Sequence, residues 1–462
     1  MGLFDTVAAV STPRGFGGIA VIRISGDRAI EIADKMFFAS RPLVDTESNR
    51  AVYGKIYLTE PNGEKRHIDD GIAVVFRAPR SFTGEDTVEI SCHGGVLVTD
   101  TVLRAAFAAG ADPAGAGEFT RRAFVNGKLT LTEAEALSSL LTAKTDDQLR
   151  LAGGGMSGAL SRGVDEIYSG LLSACAAIRA KIDFPDEDLA DMTDSEIGEA
   201  IKEALRKTDE LAKTYSSGKA IAVGVPTVIC GSTNAGKSSL YNRMLGEDAA
   251  IVTDIAGTTR DVISETVAFG GVTLRLFDTA GLRETDDKVE SIGIERAKNA
   301  IKKAELIIAV FDGSKGLGED DLNSINEIKN SDAEIIAVIN KSDLGIHPDT
   351  NRIKDIFEHC VELSALEGDG LSALSDKIGE LFLDGTLDIS KDAIVTNERQ
   401  YGALVRASAL LREAEYALDL GVPVDAVCSD IERAMQELAG VDGREVGEEI
   451  VAAVFSKFCV GK

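Results

Sequence analysis

The stretch Gly231-Ser232-Thr233-Asn234-Ala235-Gly236-Lys237-Ser238 decides the fold of the middle of this chain. Two glycines enclose four variable residues, and Lys and Ser follow, which is the spacing of a phosphate-binding loop. An apolar run, Thr227 to Cys230, precedes it and reads as a buried strand; Ser238 to Leu245 reads as a helix. In that setting backbone N–H groups and a helix N-terminus converge on phosphate oxygens. Lys237 is expected on the β/γ phosphates and the Ser238 hydroxyl on Mg²⁺, with Asn234, Ala235, Gly236 and Ser239 completing this part of the nucleotide site.

Three later stretches extend the reading. Asp278-Thr279-Ala280-Gly281 follows the apolar alternation Val272 to Phe277, so its carboxylate can support the Mg²⁺ shell and its glycine N–H can reach the γ-phosphate. Asn340-Lys341-Ser342-Asp343 follows a second buried strand, Ile335 to Ile339. Asp343 can accept from the N1–H and the exocyclic amine of guanine, a donor pair that adenine lacks. Ser364-Ala365 suits a backbone N–H for the guanine carbonyl. Between the loop and Asp278, Gly257-Thr258-Thr259-Arg260-Asp261 offers Thr259 to complete the Mg²⁺ shell. Four motifs in this order read as a GTPase domain.

The chain has 462 residues, enough for two or three domains, and its 44% hydrophobic content suffices for packed interiors. No stretch reaches the length of apolar residues that a bilayer requires, and no basic region precedes an apolar one at the N-terminus. Six scattered cysteines show neither metal-ligand nor disulfide spacing, which reads as reduced thiols in a cytoplasmic protein. The net charge of −27 argues against a surface that attracts nucleic acid everywhere. Residues 1–127 hold 14 basic and 16 acidic side chains, so nearly all of the acidic excess lies beyond them.

Residues 1–127 alternate strand and helix as a small α+β domain. Ile19 to Ile24 reads as a strand, Ala29 to Phe38 as a helix, and Val52 to Leu58 with Ile72 to Phe76 as a hairpin. Glycine-rich punctuation (Arg14 to Gly18, His93 to Gly95) beside Arg23 and Glu89 allows a ligand to approach the backbone. Residues 128–218 turn helical, with Thr132 and Glu135 at capping-box spacing. Residues 219–383 alternate strand and helix as a doubly wound parallel sheet. Residues 384–462 are helical again, the last helix running from Gly443 to Phe458, with Gly461 ending it and Lys462 complementing its dipole. Cys459 then sits at an exposed, mobile end. The expected architecture is a multidomain α/β and α chain: an α+β N-terminal domain and an all-α domain in two halves, with an inserted P-loop GTPase domain between them.

With these residues in view, the chain resembles the MnmE (TrmE) family of tRNA-modification GTPases along its whole length. The resemblance rests on Gly231 to Ser239, on Asp254-Ile255-Ala256-Gly257-Thr258-Thr259-Arg260-Asp261, and on Asp278 to Arg283. Ser81 to Asp86, Leu131 to Ala136 and the terminal Cys459-Val460-Gly461-Lys462 carry it outside the GTPase domain. It implies a homodimer formed through the N-terminal domain, a formyl-tetrahydrofolate held by Arg23, Glu89, Lys128 and Lys462, and a flavin- and nicotinamide-using partner, MnmG. Together the pair installs a carboxymethylaminomethyl or aminomethyl group at C5 of the wobble uridine of certain tRNAs, and Cys459 matches a position needed for it. Residue Leu282 stands where small GTPases carry a water-orienting Gln, and the resemblance assigns that task to Glu290. It also implies K⁺ beside the phosphates, held by the Asn234 side chain and by Thr253, Ile255 and Thr258, with Asp254 and Ala256 in the same nucleotide-binding loop. Ser232-Thr233 departs from a common Arg-Pro, and Val460 from a common Ile.

Two other readings share parts of this pattern. An Era-like ribosome-assembly GTPase shares the nucleotide motifs, and would carry a basic RNA-binding appendage. A folate-dependent one-carbon enzyme, with GTP only as its regulator, would not need GTP turnover for its chemistry.

Overall fold

A computed structural model describes residues 5–183, 192–248, 264–277, 300–444 and 446–462. The chain divides into two compact units, Met1–Ser138 with Asp442–Lys462, and Ser139–Val441.

The first unit is built on a seven-stranded sheet. Its strands are β1 (Val7–Val10), β2 (Ile19–Ser25), β3 (Phe37–Ala39), β4 (Ala51–Thr59), β5 (Lys65–Phe76), β6 (Thr87–His93) and β7 (Asp112–Pro113), in the order β3-β4-β5-β6-β2-β1-β7. Side chains alternate across a strand, so Ile22, Ile24, Val88, Ile90, Ala73 and Val75 share one buried face. The helices Ala29–Met36 and Val96–Ala108 cover that face. The first of them is shorter than its apolar pattern implies: Phe37 and Phe38 leave the helix and pair with Ile56 and Lys55 as β3. Aromatic residues suit a pleated strand, and here pairing outweighs local periodicity.

The helix Leu131–Thr142 is boxed two residues earlier than the spacing of Thr132 and Glu135 suggests. The Thr130 amide donates to Glu133 Oε2 at 2.7 Å, and the Glu133 amide donates to Thr130 Oγ1 at 3.2 Å. Thr132 is instead buried and donates to Asp442. The chain's end also differs from expectation. Its last helix is Glu448–Phe455, so Gly461 lies well beyond it and cannot be its cap. Residues 459–462 are not loose. Val460 forms an antiparallel bridge with Ala116, the Gly117 amide donates to the Cys459 carbonyl, and the Phe119 amide donates to the Lys462 carbonyl at 3.1 Å.

The second unit holds the helical core and the nucleotide-binding sheet. Helices Ala159–Asp183, Asp194–Lys213, Glu398–Asp419 and Cys428–Asp442 bury Leu171, Ile178, Ile201, Leu404, Leu411 and Leu438 against one another. The sheet comprises β8 (Val225–Cys230), β9 (Ser264–Phe269), β10 (Val272–Phe277), β11 (Leu306–Asp312), β12 (Glu334–Asn340) and β13 (His359–Glu362). Their order is β13-β12-β11-β8-β10-β9, parallel except for β9. β11 is buried throughout: Ile308 and Val310 enter one apolar cluster, Ile307, Ala309 and Phe311 the other. Two buried faces make this a doubly wound sheet, and nucleotide sites of such sheets lie beyond the carboxyl ends of their strands.

Candidate functional site

β8 ends in the loop 231–236, which turns into the helix Lys237–Asp248. The turn takes three left-handed residues, Gly231 (φ 139°), Asn234 (φ 61°) and Gly236 (φ 99°). A Cβ at Gly236 would lie 2.0 Å from Asn340 Nδ2, and one at Gly231 would lie 2.1 Å from the Val310 carbonyl, so both glycines are required by close approach. The Lys237 ammonium curls over the loop and donates to the carbonyls of Gly231 (2.9 Å) and Ser232 (2.7 Å). Burial pulls its pKa down, and the neighbouring Cys230 opposes that; burial pushes the Cys230 thiol itself up to about 12. A half-desolvated ammonium that meets only neutral carbonyls is poised for an anion. Ser232 Oγ, buried in the same loop, has no hydrogen-bond partner. Ser238 and Ser239 stand exposed on the first helical turn. The cradle that only glycine leaves open, with Ser238 beside Lys237, therefore fits a phosphate chain with Mg²⁺.

Asn340, at the end of β12, is 2% exposed and acts as a strut. Its Nδ2 donates to the Ala235 carbonyl at 2.8 Å, and its Oδ1 accepts from the Ala365 amide at 2.9 Å. The phosphate loop and the 364–365 loop are thereby fixed to one side chain. The amide expected to meet a guanine carbonyl is, in this structure, given to Asn340. Lys341 adopts φ 65° and donates to Asp312 Oδ2 at 2.7 Å. Burial alone would raise the Asp312 carboxyl, but hydrogen bonds from Lys341 and Ser314 overcome it and hold the group below the usual carboxylate range. Asp343 is exposed on the short turn Ser342–Leu344, open to a ligand. Asp312 and Ser314 were not singled out from sequence, since an Asp ending a strand carries no motif of its own.

Thr253 to Thr259, Asp278 to Gly281 and Glu290 lie outside the described residues.

In the first unit, register alone brings Arg23 of β2 opposite Glu89 of β6. Arg23 Nη2 lies 2.7 Å from Glu89 Oε1, and its guanidinium sits 5.3 Å from the ring centres of both Phe82 and Phe119. Phe119 is the residue whose amide holds the Lys462 carbonyl, so the chain's terminus joins this cluster. Lys128 donates to the Pro79 carbonyl, in the loop that carries Phe82. Gly461 (φ 101°) is pinned, because a Cβ there would lie 2.0 Å from the Val10 carbonyl, and Ser11 Oγ donates to its carbonyl. Cys459 remains exposed. Nearby, Arg122 is 1% exposed and spans Glu85 and Glu118, so its charge is used internally. Phe82 and Phe119 complete the cluster around Arg23, and the sequence carries no signal for that beyond the stretches 81–86 and 118–124 in which they fall.

The family model described as "GTP-binding protein TrmE N-terminus" matches residues 6–128, and that described as "MnmE helical domain" matches residues 131–459. Over 460 residues the chain is 40% identical to the tRNA modification GTPase MnmE of Lactobacillus johnsonii, covering 99% of this chain and 98% of the relative. It is 38% identical to that of Acetivibrio thermocellus, covering 99% of both. A crystal structure of Aquifex aeolicus Era bound to GDP and AlF4⁻ is 26% identical over 40% of this chain and 65% of its own, with a TM-score of 0.28.

Proposed function

The chain belongs to the MnmE family of tRNA modification GTPases and is a GTP hydrolase, and from that premise we propose that it couples K⁺-dependent GTP turnover to modification of a wobble uridine. The observation that carries the reading is the loop 231–238, in which Lys237 has only carbonyls to bond and Asn340 ties phosphate loop to base loop. GTP would lie with its phosphates on Lys237 and on the N-terminus of the helix Lys237–Asp248, and with its guanine against Asp343 and the 364–365 loop. Ser238 and Thr259 would hold Mg²⁺; Asn234, Thr253, Ile255 and Thr258 would hold K⁺. When bound, the two cations supply positive charge where it builds between the β- and γ-phosphates. Lys237 adds to that charge, and Glu290 orients the attacking water, its carboxylate doing what Leu282 cannot.

The same reading assigns the first unit a tetrahydrofolate one-carbon donor. Arg23, Glu89, Lys128 and Lys462 would bind it, and the rings of Phe82 and Phe119 give it flat apolar surface. The product would be a carboxymethylaminomethyl or aminomethyl group at C5 of the uridine, made by a homodimer together with MnmG, with Cys459 at the site. Six unpaired thiols suit the cytoplasm, and among the described residues no helix is long and apolar enough to cross a membrane.

The test is GTP hydrolysis in K⁺ and in Na⁺ at equal ionic strength, with Asn234→Ala alongside. We expect at least about ten-fold stimulation by K⁺, lost in the variant. Equal rates in both salts would sink the cation-assisted mechanism and favour an Era-like switch that waits for an external activator.

A further inference from the structure

We propose that Arg243 is a positioning residue for guanine recognition, coupling the phosphate-binding helix to the base-binding loop. Arg243 lies on the helix Lys237–Asp248, which begins at the phosphate loop. Its Nη2 donates to the Leu366 carbonyl at 3.4 Å. The guanidinium packs closely against Gly368: a Cβ there would meet Arg243 Nη2 at 2.5 Å, Cζ at 3.2 Å and Nε at 3.3 Å. Gly368 is left-handed, at φ 94°, so the backbone needs glycine and the guanidinium uses the space that glycine leaves. Arg243 Nε is buried without a hydrogen-bond partner.

Arg243 touches the residues that directly follow Ser364-Ala365, the pair read as meeting the guanine carbonyl, and the inference rests on that reading. The loop closes on itself: the Gly368 amide donates to the Ser364 carbonyl at 2.8 Å, and the Ser364 amide to the Asp369 carbonyl at 2.9 Å. Asn340 grips one shoulder of this loop, at Ala365. Arg243 grips the other, at Leu366 to Gly368. Leu366 itself is 75% exposed, so no packing of its own side chain fixes its peptide. With both shoulders held, the 364–368 loop keeps a fixed place relative to the phosphate helix, and so does any base that it meets. A planar, always charged guanidinium lying on backbone does this where a flexible ammonium would not. Spacing could not reveal the role, because Arg243 belongs to no motif and its contacts lie more than a hundred residues away.

The experiment uses the full chain, with Arg243→Met and Arg243→Lys. Affinities for GDP, IDP and ADP are measured by displacement of a fluorescent GDP analogue, and melting temperature is recorded in parallel. GDP and IDP both carry the six-position carbonyl, and ADP does not. We expect GDP and IDP to weaken together, by about ten-fold in Arg243→Met and less in Arg243→Lys, while the weak ADP affinity holds, so that selectivity for GDP over ADP narrows. The KM for GTP should rise by a larger factor than kcat falls. If GDP binding stays within two-fold of the parent, or if GDP and ADP weaken in parallel, the proposal is overturned. Should Arg243→Met not fold, Arg243→Lys is judged by the same two criteria. Failure of the parent protein to prefer GDP over ADP would instead sink the reading of the base loop itself.

Discussion

At the residue scale, the nucleotide site is braced by side chains that bond its own loops together. Asn340 and Asp312 are the main ones, and Asp312 can be tested through its charge. Its carboxyl titrates below the usual range when folded, so it releases stability in one direction only. The contribution is complete above the unfolded carboxyl pKa, about 3.9, and drains away as pH falls through the lower folded value. Asp312→Asn keeps the shape, and still accepts from Ser314, but leaves Lys341 without its counter-charge. We expect it to lower stability by about 1–2 kcal/mol at pH 7. The gap in urea midpoint between parent and variant should persist down to about pH 5 and close below pH 4. A gap that stayed constant through that window would show that shape, not charge, makes the pair matter. Lys341, freed from Asp312, would no longer be held beside the base loop by its side chain, so weaker GDP binding should accompany the lost stability.

At the element scale, the helix Tyr215–Ala222 decides how the GTPase sheet joins the helical core. Ser217 Oγ accepts from the Asp384 amide at 2.8 Å, and Thr214 Oγ1 just ahead of the helix accepts from the Val395 amide at 3.0 Å. Between them, a Cβ on Gly218 would lie 2.1 Å from the Val395 carbonyl. Gly218→Ala should therefore destabilise the protein by about 1–3 kcal/mol, since backbone cannot move aside as a side-chain tip can. Gly170, inside the helix Ala159–Asp183, would meet nothing within 4 Å, and Gly170→Ala should stabilise by roughly 0.5–1 kcal/mol. Opposite signs from the same substitution, read in one urea series, separate close approach from helix propensity. These cases also show where sequence reading stops. The phosphate loop was legible because chemistry fixes its spacing, and β8 and β12 because Thr227 to Cys230 and Ile335 to Ile339 are mostly apolar runs. The early end at Met36 and the box at Thr130 were not, because Phe37 chose a strand partner and Thr132 chose Asp442, each far away in sequence. The pairing of Arg23 with Glu89 was half legible: both residues were named, but only the register between β2 and β6 makes them neighbours.

At the scale of the whole molecule, the chain leaves the first unit after Ser138 and returns to it at Asp442. Its last residues therefore belong to the unit that holds the first sheet, although sequence grouped them with the second helical half. Helix Glu448–Phe455 places Phe455, with Phe458 beyond it, against Leu131 and Ala134, and the four residues that follow reach β1 and the 116–119 turn. A chain ended after Phe458 would lose Cys459, Gly461 and Lys462 as acceptors for Gly117, Ser11 and Phe119. Those three hydrogen bonds together contribute about 2 kcal/mol, allowing for water at the exposed ones. The loss should fall on the first unit alone. Hydrogen exchange of the Phe119 amide should accelerate at least about ten-fold in the truncated chain, while amides of β11, deep in the other unit, keep their protection. GDP affinity should stay within two-fold, because every described residue of the nucleotide site lies in Ser139–Val441. If β11 exchanged faster as well, the terminal segment would be stabilising the whole chain rather than the unit it packs on. If Phe119 did not change, the tail's four residues would be an appendage after all, and Lys462 could not be held where the proposed folate site needs it.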